Sequence, residues 1–559
     1  MSKKTEATAT EEESRVLLRP ENNNKKYEAL FLEIDSGQIK LPMFQREFVW
    51  DKEQTAKLID SIIKGYPIGT FIFWKTRDSL RSYKEIGHYK LPETPSGDYA
   101  QYILDGQQRI TSLYAIRKGL RITKDGKEID YKDIYINLDY DASIDEQIAV
   151  TQQEEGKDYV SVHDLLSKNM RVLFKGLSDE KAALVEDYKN KLTTYDFPTI
   201  TIKDYPIEIA CDVFTRINTG GKALTLFEIM VAMTYDEKRG FDLAQKYDEI
   251  CYGTDKTTDY LEKAKYETIP ATTVMQAVAA ITLESVRAKD ILKIRRDNFI
   301  DNWKNMESAL FTTVNFLRTT LRIPVSQLLP YPALIVPLTY FFHRNKNQKP
   351  SNIQAKKLEQ FLYWASLTSR YSSATETKIG EDLKKMKSIV SGRPIRYPTD
   401  ELHISADVIS ETYFSAGNSF VKAILCLFAS QKPRNFDDDA DVILDNSHLK
   451  IASSKNYHHF FPKEYLRKQA PGEEANLVVN ITLIDATSNN KIKAKAPSVY
   501  IGKFSESNNK LSKGLKTHFI GNVGHFGITT DNYKLFIKNR SLAISDALNN
   551  KLKPDFEEA

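Results

Sequence analysis

The spacing of apolar residues changes along the chain near residue 225. Before that point, Lys52–Lys64 carries apolar side chains at helical spacing and is followed by a glycine and a proline, which predicts a helix. Ile68–Trp74 is too continuously apolar for an exposed edge and predicts a buried strand. The other elements predicted in this part are strands at Lys40–Pro42, Tyr102–Leu104, Ile134–Leu138 and Thr199–Ile202 and helices at Arg109–Lys118 and Ile207–Ile217.

Beyond residue 225 long helical patterns dominate, so the chain as a whole predicts an α+β multidomain protein. We expect a disordered tail at 1–25, a mixed domain at 26–224, a helical connecting domain at 225–440 and a compact final domain at 441–559. The acidic run Asp437–Asp441 is typical of a linker. The helices predicted in the middle are Leu224–Lys238, Ala271–Arg287, Asp301–Leu321 and Ala355–Ser369.

The composition indicates the general class of protein but not its function. The 559 residues carry a formal charge of +4, and residues 451–559 hold about six net positive charges, a modest excess that suits either a polyanionic partner or a solvated surface. The three cysteines lie far apart without CxxC spacing, which indicates a reducing cytoplasm. No apolar run reaches the roughly 18–20 residues that span a bilayer, so we expect no membrane role.

The C-terminal part contains the residues best suited to hydrolytic chemistry. A histidine pair lies in Tyr457–Pro462 (YHHFFP), an asparagine opens NITL within Val479–Leu483, and a second asparagine begins a predicted helix, Asn489–Ala496. Phosphodiester hydrolysis requires a group that takes a proton from water near neutral pH, and imidazole is suited to this. It also requires a cation, which imidazole nitrogen and amide oxygen can bind. Taken singly, adjacent histidines are more often surface residues and asparagines are more often caps.

The order and spacing of these residues resemble the HNH, or ββα-metal, nucleases, and especially the HNH domain of GmrSD-type modification-dependent restriction enzymes. The resemblance implies His459 as general base and Asn480 as the residue that orients the base-bearing loop. It implies His458 and Asn489 as ligands of a divalent metal, Mg²⁺ or Mn²⁺. His458 departs from the family, which more often has Asp or Glu there, so which histidine is the base stays open. Arg540 could contact a phosphate, or it could form a surface salt bridge.

Three motifs stand out in the N-terminal part: Leu41–Trp50, Ile103–Arg109 and Val213–Gly221. The second is a strand that ends in Asp-Gly and turns into a helix beginning Gln-Gln-Arg. Backbone N–H groups at such a helix start form an anion site. Arg109 adds a planar double donor suited to phosphate. Asp105 could hold a metal or a ribose, or it could simply cap the helix, and no P-loop sequence is present.

These motifs together resemble the ParB/sulfiredoxin-like domain that precedes the HNH domain in GmrSD-type enzymes, and similar proteins include the SspE nucleases and BREX-associated enzymes. In that family the DGQQR motif is tied to nucleotide binding and hydrolysis. The resemblance implies a nucleotide site formed by Asp105, Gly106, Gln107, Gln108 and Arg109, with contributions from Gln45, Arg46, Arg216 and Asn218.

The two resemblances imply an NTP-responsive, divalent-metal-dependent DNA endonuclease that cuts foreign, modified phage DNA in bacterial defence. DNA and a nucleotide are the expected partners, and a homodimer would suit double-strand cleavage. One alternative is a non-cutting ParB-like DNA sensor with NTPase activity. Another is a sulfiredoxin-like phosphotransferase, for which Cys211 is the one candidate thiol, although its apolar surroundings favour a buried structural cysteine.

Overall fold

The computed structural model divides the chain into two compact units, with the boundary between Glu237 and Lys238. The architecture is mixed α/β, with about half of the described residues in helices. The predicted domain boundaries at 224/225 and 440/441 stay predictions. The structure describes residues 19–42, 50–78, 80, 82–83, 85–86, 89–95, 97–124, 127–143, 145–217, 225–254, 259–395, 397, 402–446 and 457–553.

The first unit is built from short strands and helices. Its strands are β1 Glu21–Lys26, β2 Ile39–Lys40, β3 Phe71–Thr76, β4 Glu85–Ile86, β5 Tyr89–Lys90, β6 Ala100–Asp105, β7 Arg121–Lys124, β8 Lys127–Asp130, β9 Tyr135–Asn137, β10 Ala149–Val150, β11 Tyr159–Ser161 and β12 Asp196–Lys203. Its helices are α1 Tyr27–Asp35, α2 Lys52–Ile63, α3 Gln107–Lys118, α4 Val162–Ser167, α5 Met170–Leu173, α6 Asp179–Thr194, α7 Ile207–Ile217 and α8 Leu226–Thr234.

A five-stranded sheet in the order β1-β12-β3-β6-β2 organises this unit. β3 pairs in parallel with β12 and antiparallel with β6, so it lies inside the sheet and not at an edge. Phe71 and Phe73 are completely buried and join one hydrophobic core with residues of α1, α2 and α3. A smaller sheet, β10-β9-β11, packs beside α2.

Most elements predicted for this unit agree with the structure. Ile207–Ile217 is confirmed as α7, and Lys52–Lys64 is confirmed as α2, which ends one residue earlier. Arg109–Lys118 is confirmed as α3, which starts two residues earlier because Gly106 occupies its N-cap position. The buried strand predicted at Ile68–Trp74 is confirmed in part, because β3 begins at Phe71 and residues 68–70 before it are half-buried or exposed.

The second unit is mainly helical and also contains a two-stranded antiparallel sheet. Its helices are α9 Leu243–Tyr252, α10 Ala271–Leu283, α11 Ala288–Ile291, α12 Arg296–Thr319, α13 Ile335–Arg344, α14 Asn352–Leu367, α15 Thr375–Val390, α16 Ala406–Glu411, α17 Ser419–Ser430, α18 Lys463–Gln469, α19 Ala486–Ile492, α20 Pro497–Ser507, α21 Leu511–Lys516 and α22 Tyr533–Leu552. Its strands are β13 Tyr457–His459 and β14 Ile481–Leu483, and 3-10 turns lie at Ser326–Leu328, Pro332–Leu334, Arg370–Ser372 and Val478–Asn480.

The sheet and the helices that follow it enclose an aromatic core. Phe460 stacks on Phe536 of α22 with ring centroids 4.7 Å apart, and Phe461 packs edge-on against Tyr533. The same long helix also contacts the earlier helices of the unit. Asn549 accepts a hydrogen bond from the Ile404 N–H at 3.1 Å and donates one to the Ile404 carbonyl at 3.0 Å. α22 therefore joins the β13–β14 region to the helical body.

Two predictions about irregular segments are wrong. Within the predicted tail 1–25, Glu21–Lys26 forms β1, because the edge of β12 supplies partners for its backbone. Residues 1–18 lie outside the described residues. The acidic run Asp437–Asp441 is no linker, because Phe436 just before it is completely buried and Asp437 accepts hydrogen bonds from Ser488 and Lys491 of α19. Within the described part of the chain, the helices are all too short or too polar to cross a bilayer.

Candidate active site

The histidine pair lies on β13, at the start of the predicted catalytic segment. β13 pairs antiparallel with β14, so that His458 faces Thr482 and His459 faces Ile481 across the sheet. Neighbouring side chains on a strand point to opposite faces, and the two imidazoles therefore occupy different surroundings. The predicted strand–strand–helix order is present, since α19 follows β14 after two residues.

Asn480 is completely buried and clamps the turn that follows the histidines. Its Oδ1 accepts a hydrogen bond from the Phe461 N–H at 2.8 Å, and its Nδ2 donates to the Phe461 carbonyl at 3.0 Å. Nδ2 also donates to the Ala475 carbonyl at 2.9 Å. The backbone carbonyl of Asn480 accepts from the Phe460 N–H at 2.8 Å. This asparagine thus ties the strand end after His459 to the chain that leads into β14.

His459 is half-buried and contacts a residue that the sequence did not single out. Its Nε2 lies 3.2 Å from Oδ1 of Asn476. Burial lowers the pKa of His459 from its ordinary value to about 4, with the hydrogen bond to Asn476 acting in the opposite direction and nearby Lys463 and His458 adding to the decrease. The ring is therefore neutral at pH 7, which is the form that can accept a proton.

Asn476 was missed because asparagine in a loop before a strand is usually read as a turn residue. The signal that could have indicated it is its position four residues before Asn480. One backbone and one side-chain hydrogen bond of Asn476 with the Phe414 backbone join two stretches that lie 62 residues apart. Sequence spacing within the motif could not indicate that contact.

His458 and Asn489 are the predicted metal ligands. His458 is buried, and its carbonyl accepts a hydrogen bond from the Thr482 hydroxyl at 3.2 Å. Asn489 is half-buried at the fourth position of α19, so the prediction that it opens the helix is wrong. Asp485 occupies the N-cap position instead, and its carboxylate accepts from the Ser488 N–H at 2.7 Å.

The side chains of His458 and Asn489 suit a divalent cation only in part. An imidazole nitrogen and an amide oxygen are both recognised ligands, but neither carries a negative charge. In the described ranges, no three His, Cys, Asp or Glu side chains are grouped so that they could hold a metal. A cation held by these two side chains would therefore need further ligands.

Arg540 was predicted to contact phosphate or to form a surface salt bridge, and both roles require an exposed guanidinium. The structure places this side chain at 0% exposure inside the core. Its Nη1 donates to the Val479 carbonyl and its Nε donates to the His518 carbonyl, and the guanidinium lies over the ring of Phe428. Arg540 therefore braces the turn just before Asn480 and does not reach the surface.

In the first unit, the DGQQR motif turns from β6 into α3. Gly106 is the N-cap of α3 with φ +90°, a conformation that favours glycine. A Cβ atom there would lie 2.3 Å from the ring of Phe71 and 3.2 Å from Nη2 of Arg109. Asp105 was considered as a cap, but Gly106 holds that position and Asp105 pairs with Arg109 at 3.1 Å.

Arg109 uses its guanidinium to brace the loop before β3. Nη1 donates to the Ile68 carbonyl at 2.6 Å, and Nη2 donates to the Thr70 carbonyl at 3.1 Å. The group also lies over the Phe71 ring, 5.0 Å from its centroid. Burial is the largest influence on the pKa of Arg109 and lowers it, while Asp105 opposes the shift. This arrangement is a structural clip in which both terminal nitrogens already have acceptors.

The remaining predicted nucleotide residues are only partly placed. Gln107 is buried in the first turn of α3, Gln108 is half-buried beside it, and Arg216 is exposed near the end of α7. Cys211 is buried on α7, as expected for a structural thiol. The predicted contributors Gln45, Arg46 and Asn218 lie outside the described residues.

Comparison with known proteins gives a family match over part of the first unit and a relative that is similar over most of the chain. Residues 27–235 match the family model described as GmrSD restriction endonuclease, N-terminal domain, which suggests a restriction endonuclease-like role with DNA as substrate. An uncharacterized protein of Methanocaldococcus jannaschii is 25% identical over 543 residues, covering 87% of this chain and 89% of its own length. The likeness to that archaeal protein therefore extends across both units.

Proposed function

We propose that this protein is a divalent-metal-dependent DNA endonuclease of the GmrSD type, with a C-terminal HNH site and an N-terminal unit that responds to nucleoside triphosphates. Its targets are foreign DNA molecules with modified bases or backbone, cut in bacterial defence. The observation that carries the proposal is the placement of neutral His459 at the end of β13, beside a turn that buried Asn480 clamps with three side-chain hydrogen bonds.

The site residues supply distinct parts of phosphodiester hydrolysis. His459 is the general base, which takes the proton of the attacking water. Asn480 holds the strand end so that the imidazole keeps one position through the reaction. His458 and Asn489 are the protein ligands of the divalent cation, whose charge stabilises the phosphate and the leaving oxygen when it is bound.

The family match over residues 27–235 supports DNA as the substrate. The net positive charge of the C-terminal segment, about six between residues 451 and 559, favours a polyanion in the same direction. A chemical mark on the DNA is proposed to decide which DNA is cut, so the assay offers DNA with and without a modified base.

Nucleotide binding is proposed at the start of α3. The twelve-residue helix presents its N-terminus at Gly106, and such an end favours phosphate. Asp105 is the partly exposed carboxylate at the same turn. Because both terminal nitrogens of Arg109 are committed to carbonyls and to Asp105, the backbone N–H groups of the turn are proposed to hold the phosphate. Arg109 is proposed to keep that turn in shape.

The deciding experiment is nicking of supercoiled plasmid and of phage DNA carrying glucosylated hydroxymethylcytosine, with Mg²⁺ or Mn²⁺ and with or without ATP or GTP. Wild-type protein is expected to cut at least one substrate, and His459→Ala is expected to abolish cutting while nucleotide hydrolysis continues. His525→Ala, which changes an exposed histidine of the same unit, is the matched control. A wild-type protein that cuts none of these DNAs, or a His459→Ala protein that nicks at the wild-type rate, would overturn the proposal.

A further inference from the structure

We infer that Asn476 is a positioning residue for His459, and that the helical body of the unit holds Asn476 in place through Phe414. This inference rests on the proposed function, because it concerns the residue assigned as general base. It adds a contact to that site which lies outside the His458–Asn489 motif. It also gives a role in the site to Phe414, which lies 62 residues before Asn476 in the chain.

The first step is the contact between the two side chains. Oδ1 of Asn476 lies 3.2 Å from Nε2 of His459, within hydrogen-bond distance. Tyr457 and His459 lie two residues apart on β13, so their side chains point to the same face of the strand. The Tyr457 ring packs against the Phe414 ring, with the centroids 5.0 Å apart. Asn476 and Phe414 therefore cover the face of β13 toward which His459 points.

The second step is the orientation of the Asn476 amide. Nδ2 of Asn476 lies 3.3 Å from the carbonyl oxygen of Phe414, which can only accept a hydrogen bond. The NH₂ end must therefore face Phe414, and the oxygen end must face His459. An amide oxygen is only an acceptor, so Nε2 of His459 carries the hydrogen of this contact. Nδ1 is then the ring nitrogen that Asn476 does not contact.

The third step is the anchoring of Asn476 itself, which uses the main chain. Its carbonyl accepts from the Phe414 N–H at 2.8 Å, and its N–H donates to the Glu474 carboxylate at 2.6 Å. One residue further on, Tyr413 and Leu477 form an antiparallel bridge, and the Val478 N–H donates to the Thr412 carbonyl at 2.9 Å. These contacts stay in place when the side chain of residue 476 is changed.

The experiment uses full-length protein with Asn476→Ala, Asn476→Asp and, as a control, Asn509→Ala, which changes an exposed asparagine of the same unit. Asn476→Ala removes the acceptor and is expected to lower kcat on the cleaved plasmid about 10- to 100-fold, as loss of an orienting partner typically does, with little change in KM. Asn476→Asp keeps an acceptor oxygen toward His459 and is expected to recover most of kcat. Asn509→Ala is expected to cut at the wild-type rate.

A second readout does not require cutting. Protein labelled with ¹⁵N-histidine is examined by NMR without DNA or metal, and His459→Gln identifies the signal among the nine histidines. The Nε2–H proton of His459 is expected to be protected from exchange in wild type and Asn476→Asp, and lost in Asn476→Ala. Retention of that proton in Asn476→Ala overturns the inference, as does an equal loss of kcat in the Ala and Asp variants. If no DNA is cut, the proposed function fails, but this spectrum still decides whether Asn476 orients the ring.

Discussion

Asn435 and Asp485 bond to each other twice across the C-terminal core. The Asp485 N–H donates to Oδ1 of Asn435 at 3.0 Å, and Nδ2 of Asn435 donates to the Asp485 carboxylate at 2.8 Å. Asp485 also caps α19, the helix that carries Asn489. Asn435, two residues before the acidic run, thus holds the capping residue of the helix that carries Asn489.

Loss of this pair is expected to destabilise the second unit. Asn435→Ala leaves the buried side of Asp485 without two partners, and we expect the free energy of unfolding to fall by about 1–3 kcal/mol. Urea unfolding followed by circular dichroism measures the change. Asn509→Ala, at an exposed position, is expected to stay within about 0.5 kcal/mol of wild type. Equal stability of the two variants would show that the Asn435–Asp485 pair contributes nothing.

The clip formed by Arg109 can be tested through the glycine beside it. Gly69 has φ +85°, and a Cβ atom there would lie 2.5 Å from Nη1 of Arg109. Gly97 has nearly the same φ, +89°, with no atom within 4 Å of its Cβ position. Both alanine variants are expected to lose about 1 kcal/mol from the left-handed backbone.

Gly69→Ala is expected to lose a further 1 kcal/mol or so, because Arg109 must release the Ile68 carbonyl. Thermal and urea unfolding of the two variants under identical conditions measure the difference. If Gly69→Ala is no less stable than Gly97→Ala, Arg109 moves aside at no cost, and its hydrogen bond to the Ile68 carbonyl does not contribute to stability.

His518 predicts a dependence of stability on acid pH. It is buried, its Nε2 donates to the Arg434 carbonyl, and burial lowers its pKa from 6.5 to about 3, with Arg540 adding to the decrease. Between pH 6.5 and pH 3, His518 is therefore protonated in the unfolded chain and neutral in the folded chain. Stability falls as pH falls through this window, by about 2 kcal/mol at pH 5 from this residue alone.

His518→Gln keeps a donor for the Arg434 carbonyl but cannot be protonated in this range. We expect it to lose about 2 kcal/mol less stability than wild type between pH 7.5 and pH 5. Urea midpoints at the two pH values provide the comparison. An identical acid-induced loss in both proteins would mean that His518 is accessible to protons in the folded state.

Arg540 is expected to affect stability and leave DNA binding unchanged. A lysine at this position cannot reach both the Val479 and the His518 carbonyls, so Arg540→Lys is expected to lower the free energy of unfolding by about 2 kcal/mol. Lys538→Ala, two residues away on the exposed face of α22, is the control for stability. DNA binding measured at several salt concentrations is expected to give the same salt dependence for wild type and Arg540→Gln, which removes the charge. A smaller salt dependence in Arg540→Gln would show that Arg540 contacts a phosphate.

The strands and helices of the first unit could be predicted closely because local signals determine them. Proline, glycine and apolar spacing suffice for α2 and α7, and continuous apolarity suffices for the burial of β3. β1 could not be predicted, since the polar residues of Glu21–Lys26 form a strand only because β12 offers a free edge. Its structure depends on a partner about 175 residues away.

The candidate site also has parts that the sequence indicates and parts that it does not. The resemblance singled out Asn480, and in the structure this residue hydrogen-bonds the backbone of Phe461, while its role in catalysis stays a prediction. The start of α19 was misjudged because Asp485 was not recognised as its cap. Arg540 was misjudged because one charged residue in a helix usually faces solvent, whereas here backbone carbonyls left by the Val478–Asn480 turn give it acceptors in the core.

The attachment of α22 to the helical body has a consequence for how this protein can evolve. The last turns of α22 bond to Ile404, and Arg540 lies against Phe428 of α17. A crossover near residue 440 that brought in a foreign C-terminal segment would separate both pairs at once. We therefore expect homologues to inherit residues 238–559 as one block, with compensating changes on both sides of position 440 and few mosaic chains joined there.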